Sequence, residues 1–245
     1  MRFLYLLIFL GLSACTQKTS KPDLFKKSNS DFQPVKRSLI TPNIDGSPND
    51  IAWKNKTWIP LDNDWEGKNE NSVRYKLTWT PDALYILVVI ENLKLERSLN
   101  NPLSTFENQS KLILYIDENN SGGNYANDHS AFSYHILVDG FILDYNALGQ
   151  PTVYNNHIDS EIKQSDSNLY WEIKLTVFDE SYCDNLPNEA VKLIKNKKMG
   201  FAIAYSSTDA STNSKTILGS VEIPEDYKNH IEYDSGLFGT IMLVE

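Results

Sequence analysis

Cysteine is scarce: two in 245 residues cannot build a disulfide framework, so a chain this long has to be stabilised by a packed core. Long apolar runs are missing too, since the N-terminal run at residues 3–10 falls well short of the roughly 20 residues that span a bilayer. Basic residues are outnumbered, 23 against 32 acidic for a net charge of −9, and no basic stretch carries interleaved aromatics. That balance excludes nucleic acid as an expected partner. The chain has no Gly-x-Ser-x-Gly elbow, no phosphate-cradling glycine loop and no zinc-protease helix. It reads as a non-enzyme on those grounds. Helical periodicity is sparse: only residues 188–198 space apolar positions helically, through Val191 and Ile194, over a length that suits a connecting turn.

What is present begins at the N-terminus. Arg2 followed by the apolar run reads as the start of a signal peptide, and Leu12-Ser13-Ala14-Cys15 resembles the lipobox that directs diacylglyceryl transfer to the Cys15 thiol. Residues 1–14 are then a lipoprotein signal peptide and Cys15 the lipid-bearing first residue. Thr16 supplies no Asp-type retention signal, so an outer-membrane lipoprotein is expected, facing the periplasm or the cell surface. Residues 15–38, rich in Lys, Ser, Asn and Pro without sustained period, read as a flexible tether. Residues 39–245 contain no second linker and suit one large all-β domain.

Strand signals fill that domain. Val73, Tyr75, Leu77 and Trp79 alternate with Arg74, Lys76 and Thr78, which predicts one buried and one wet face. After the Pro81-Asp82 turn, residues 84–90 are apolar throughout, as in a strand covered on both sides. Residues 112–116 repeat that pattern, 132–138 and 141–145 flank the Asp139-Gly140 hairpin signal, and 169–177, 200–205 and 238–244 complete the set. The expectation is a single β-sandwich of antiparallel strands, with immunoglobulin-like packing and one or two short helices.

Ile44-Asp45-Gly46-Ser47 followed by Asp50-Ile51-Ala52-Trp53 resembles the opening of the family 9 carbohydrate-binding modules. Physically it is a tight Asp-Gly turn and one helical turn that lays Trp53 on the sandwich as a structural residue. The resemblance continues through Leu77-Thr78-Trp79, Leu84-Tyr85-Ile86, Tyr115-Ile116-Asp117 and Leu237-Phe238-Gly239-Thr240. It implies a DOMON-like sandwich that binds a saccharide without cleaving it, here on a lipid-anchored envelope protein serving glycan capture and catabolism. Ile113 departs from the resemblance, standing where an acidic residue is often found. Two further readings belong to the same sandwich: a haem-binding electron-transfer domain using Met199 with His135, and an envelope scaffold that binds another protein.

Candidate site residues follow from chemistry. Asp117, Asn119, Ser121 and Asp128 fall at positions one, three, five and twelve of a loop with Gly122 at six, which mimics a calcium loop. Its alternative is a solvated loop making its own side-chain turns. The resemblance makes calcium the expected metal, and no organic cofactor is expected. For sugar, a flat ring and polar partners are needed. Trp65, in the polar segment 62–67, is the first platform, and Trp171 the second, although its alternation with Glu172 and Lys174 also fits the core. Arg74, Asn155 and His157 are the candidate hydroxyl partners. His129 and His135, spaced to share one strand face, read as hydrogen-bonded packing residues. Asp159, Glu161, Asp166, Glu172 and Asp179 read as surface charges.

Overall fold

The computed structural model describes residues 31–93, 102–209, 212 and 214–245. The signal peptide, Cys15 and the tether up to residue 30 lie outside the described residues. Among the described residues no helix is long and apolar enough to cross a membrane.

Among the described residues fourteen strands form two sheets. The larger sheet contains β1 (Gln33–Lys36), β3 (Asn63–Glu66), β6 (Lys111–Asp117), β7 (Phe132–Leu137), β8 (Ile142–Tyr145), β9 (Pro151–Val153), β12 (Lys198–Thr208), β13 (Lys215–Gly219) and β14 (Gly239–Val244). Its order is β1-β14-β12-β6-β7-β8-β9, with β13 on the part of β12 that β14 leaves free and β3 on β13. The smaller sheet runs β10-β11-β5-β4-β2, from β10 (Ile158–Ser165), β11 (Asn168–Leu175), β5 (Ala83–Ile90), β4 (Val73–Thr80) and β2 (Ile59–Pro60). All pairings are antiparallel except β1 with β14. The expected all-β antiparallel sandwich is what forms, with, among the described residues, one short helix, α1 (Pro102–Thr105), and a few single turns.

The doubly apolar strands show why both of their faces are apolar. Leu84, Ile86, Val88 and Ile90 of β5 point into the inter-sheet core, while Ala83, Tyr85 and Leu87 point outward beneath Trp53. In β6, Leu112, Leu114 and Ile116 face inward, and Ile113 and Tyr115 lie outward beneath Ile223, Ile231, Leu237 and Phe238. Trp53 is fully buried, with its indole donating to Glu172 Oε1 at 2.7 Å. Gly46 makes this possible: at φ +73° it turns the chain so close to β10 that a Cβ would lie 2.8 Å from Lys163. Glu172 is therefore a buried strut for the opening motif and not a surface charge.

Two boundaries differ from expectation. The sheet begins at Gln33, inside the segment assigned to the tether, because β1 hydrogen-bonds along β14. Residues 188–198 form no helix. Val191 and Leu193 instead turn inward at every second residue, bonding Val177 O and Pro81 O, while Ile194 faces solvent.

Candidate functional site

Three cross-strand rows build a polar face on the outer side of the larger sheet. In the first, Ser206 of β12 lies beside Lys111 of β6 and Leu137 of β7. In the second, Gly219, Ala204, Ile113, His135 and Leu143 follow one another across β13, β12, β6, β7 and β8. The third carries Ala202, Tyr115 and Ser133. The floor is thus small or aliphatic at its centre and polar toward one side. Over it lie Phe106, whose ring meets His135 edge-on at 5.0 Å, and Glu232, whose Oε2 is 3.6 Å from His135 Nε2. Trp65 of β3 closes the β13 side, its ring so tight on Gly219 that a Cβ there would fall 2.0 Å from it.

Among the described residues, four of eight buried side-chain polar atoms without a hydrogen bond lie on this face, the others belonging to Arg37, Asn69, Arg74 and Tyr205. The His135 side chain is 7 % exposed, and neither ring nitrogen has a hydrogen-bond partner. Ser206 Oγ and Thr208 Oγ1, on alternate positions of β12, are also buried without partners. Buried polar atoms are nearly always bonded, because leaving one unpaired costs about 1–3 kcal/mol. A buried imidazole without a hydrogen bond, on the same sheet face as two unbonded hydroxyls, marks a surface shaped to receive hydrogen-bonding groups from outside the chain.

Ionisable groups surround it. Lys111 is buried and donates to the carbonyls of Phe106 and Glu107 at 2.6 and 2.8 Å, which holds that turn over the face. Burial, with Lys215 adding, pulls its pKa down to about 8 against Glu232, Glu107 and Glu66. Burial alone would raise the Glu232 carboxyl, but His135, the Tyr115 hydroxyl donating at 2.6 Å, and Lys111 together hold it below its ordinary value. At the far side burial pushes Asp144 up to about 8, although Ser133 N, Ser133 Oγ and Tyr145 N all donate to it. Ring edges with a few convergent polar groups suit a small polyhydroxylated ligand.

The predicted ligand residues do not come together. Trp65 alone reaches this face, as a wall and not an open platform, because its indole is buried and donates to Val221 O at 2.8 Å. Trp171 is in the inter-sheet core, placed there by its strand alternation, and donates to Ser160 Oγ. Arg74 points from the outer side of the smaller sheet, pairing with Glu91 and lying 5.4 Å over Trp58. Asn155 accepts from Ile142 N at 2.9 Å and so stabilises a strand end. His157 is buried between two phenols, Tyr134 at Nδ1 and Tyr182 at Nε2, and burial drives its pKa down to about 4. His129 belongs to the same end of the sandwich, bonded to Asp184, so it does not share a face with His135.

The predicted metal loop closes on itself. Asp117 accepts from Ser121 N, Gly122 N and Ser235 Oγ, Asn119 accepts from Ser121 N, and Asp128 accepts from Ser130 N and Oγ. A calcium ion needs six to eight oxygens. Here the backbone N–H groups of Ser121 and Gly122 hold the Asp117 carboxylate at the head of the turn, and its Oδ1, which accepts one of these bonds, keeps a second lone pair. Among the described residues no group of three or more His, Cys, Asp or Glu could hold a metal. Met199 is buried between the sheets while His135 points outward from the larger one, so the two cannot share a haem.

Sequence reasoning passed over Phe106, Lys111, Ser206 and Glu232. The signals that could have found them are Lys111 opening an otherwise apolar strand, and Ser206 and Thr208 continuing the outward positions of Ala202 and Ala204.

The family described as carbohydrate family 9 binding domain-like matches residues 44–245. No curated protein matches the chain in sequence. Among solved structures, a family 9 carbohydrate-binding module from Caldicellulosiruptor kristjanssonii in complex with cellotriose aligns with a TM-score of 0.63 at 20 % identity, covering 86 % of this chain and 94 % of that one. The module from the same organism in complex with glucose aligns at 0.61 and 19 %, covering 86 % and 95 %. A putative carbohydrate-binding protein from Bacteroides uniformis ATCC 8492 aligns at 0.54 and 10 %, covering 86 % and 98 %. At such identities the likeness is one of fold.

Proposed function

Because the chain belongs to the carbohydrate family 9 binding domain-like family, we propose that it binds a saccharide without cleaving it, on the outer face of its larger sheet. The family is one of binding domains, not of enzymes. The observation that carries the site is the His135 imidazole, more than nine-tenths buried with neither nitrogen hydrogen-bonded and the Glu232 carboxylate 3.6 Å from Nε2, on the same sheet face as the unbonded Ser206 Oγ. Sugar hydroxyls both donate and accept, so they can satisfy the imidazole, the Ser206 hydroxyl and the Glu232 carboxylate together. Phe106 and Trp65 supply apolar edges for the C–H faces of the ring. Lys111 keeps Phe106 over the site through its bonds to the backbone.

The solved relatives were captured with glucose and cellotriose, which makes these the first probes. Calorimetric titration should show binding of at least one, weakened about tenfold or more in His135→Ala and in Ser206→Ala, since a lost hydrogen bond to a buried partner costs about 1–3 kcal/mol. Equal affinity in both variants would move the ligand off this face. The same titration, run with calcium and again with chelator, tests the loop after β6 as a calcium site: binding or stability lost with chelator would place the ion there, and identical curves would refute it. In this reading residues 1–14 direct export, Cys15 carries lipid, and residues 15–32 tether the sandwich to the outer membrane. Mass spectrometry of the mature protein would show a diacylated Cys15, and a mature chain with an unmodified thiol would refute the anchor.

A further inference from the structure

The opposite side of the sandwich carries a second surface of different character. Leu39, Ile40 and Ile51 are 92, 55 and 65 % exposed, the first two just after β1 and the third opening the Ile51–Trp53 turn. Basic side chains gather beside them. Lys56 reaches back to the carbonyls of Lys36 and Arg37 at 3.0 Å, Lys54 follows the Ile51–Trp53 turn, and Lys76 donates to Trp53 O at 2.9 Å. Arg74 and Lys76 lie 5.4 and 4.6 Å from the centre of the half-buried Trp58 ring, and Arg37 covers Trp79 at 5.5 Å.

Four acids, Asp45, Asp50, Glu91 and Glu245, stand among six cations, Lys36, Arg37, Lys54, Lys56, Arg74 and Lys76. Glu91 and Glu245 pair with Arg74 and Arg37, and Asp45 and Asp50 accept from the backbone and side chain of their own turn. In a chain of net charge −9, positive groups are concentrated here around protruding aliphatics. Crowding shows in the lysines themselves: burial, with Lys36 adding, lowers Lys56, and burial, with Arg74 adding, lowers Lys76.

We propose that this corner, built on Leu39, Ile40, Ile51 and Trp58 with Lys36, Arg37, Lys54, Lys56, Arg74 and Lys76, rests on an anionic lipid surface. Aliphatic tips enter the headgroup layer, a tryptophan sits at the boundary, and cations meet the lipid phosphates; this is how peripheral proteins hold a membrane. The charge complementarity argues for lipid, since protruding leucine and isoleucine add nothing to a polar anionic partner. The surface is continuous with β1, the strand that receives the N-terminal segment. Trp58, Arg74 and Lys76 lie on the outer side of the smaller sheet, and Lys36 and Arg37 lie where β1, at the edge of the larger sheet, meets β4. The inference stands independently of the saccharide reading.

Among the described residues every strand lies between Gln33 and Val244, so the chain lacking residues 1–15 retains these strands and isolates this surface from the lipid anchor. Co-sedimentation with vesicles of phosphatidylglycerol and phosphatidylethanolamine should exceed that with pure phosphatidylcholine by at least tenfold, and fall at least tenfold between 50 and 500 mM salt. The paired variants Lys36→Glu with Lys54→Glu, and Leu39→Ser with Ile40→Ser, replace exposed groups only and should each reduce binding severalfold with unchanged melting. Equal binding to both vesicle types, no binding to the anionic ones, or binding indifferent to both variant pairs would overturn the proposal. So would a concentration-dependent dimer that dissociates in the Leu39→Ser, Ile40→Ser variant, which would assign the corner to a second copy of the chain.

Discussion

His157 offers the sharpest test of how its end of the sandwich is organised. Its ring has no exposed surface, and each nitrogen faces a phenol: Tyr134 at 2.8 Å and Tyr182 at 3.1 Å. A neutral imidazole satisfies both, donating to one hydroxyl and accepting from the other. Protonation removes the acceptor and puts a charge in a site walled by Phe132, Tyr154 and Phe178. Burial is the main cause of the fall in pKa from 6.5 to about 4, with His129 adding and Asp184 opposing. Between those values the unfolded chain holds a proton that the folded chain does not, so stability rises with pH there and is lost as pH falls from 6.5 toward 4. At about 1.4 kcal/mol per unit the full loss is on the order of 3 kcal/mol. Urea unfolding of wild type and His157→Gln across pH 4–7 measures it, because glutamine keeps a donor and an acceptor for the phenols and cannot titrate. The variant should start less stable through imperfect packing and lose less on acidification by that amount. An unchanged acid slope in the variant, or an NMR titration of the His157 ring near 6.5, would refute the reasoning and reopen this histidine as a ligand group.

Two further expectations follow from single residues. Asp144, held at about 8 against 3.8 when unfolded, keeps its proton after the unfolded chain has lost it, so its contribution falls as pH rises toward 8. Comparing pH 6.5 with pH 8, above the His157 window, Asp144→Asn should remove a loss of roughly 2 kcal/mol; an identical loss in wild type and variant would exclude the buried protonated carboxyl. Gly219→Ala would place a methyl 2.0 Å from the Trp65 ring. The ring or strand must shift, costing about 1–3 kcal/mol and moving tryptophan emission to the red, and a variant as stable as wild type would show that Trp65 is not seated there.

Strand existence was legible where the pattern was strong, and the misses share a physical cause. β10 reads Ile-Asp-Ser-Glu-Ile-Lys-Gln-Ser, with most of its side chains exposed at a sheet edge. An edge strand needs little hydrophobicity because its neighbour's backbone holds it. β1, β3 and β9 are short for the same reason. The 188–198 segment misled because Ile194 completes a helical spacing, yet its neighbours Val191 and Leu193 are the ones that reach the core, and the segment's N–H groups find carbonyls on β14 and on the turns around it.

The binding face was harder to read, since a site on a sheet is assembled perpendicular to the chain. Ser206, Lys111 and His135 come from three strands, and only the register brings them within one side chain's reach. Alternation does say which residues of one strand point outward, so Lys111 and His135 could each have been placed on outer faces; that those faces coincide is a property of pairing alone. Aromatic rings in polar surroundings were a poor guide by comparison. Trp65 lies in a polar stretch because β3 is a narrow edge strand, and its ring is buried by a glycine on the neighbouring strand that no local pattern reveals. An unsatisfied buried polar group is the better marker of a ligand site. It records a cost that the fold carries in the absence of a partner, whereas a buried tryptophan records only that the fold has found a use for its surface.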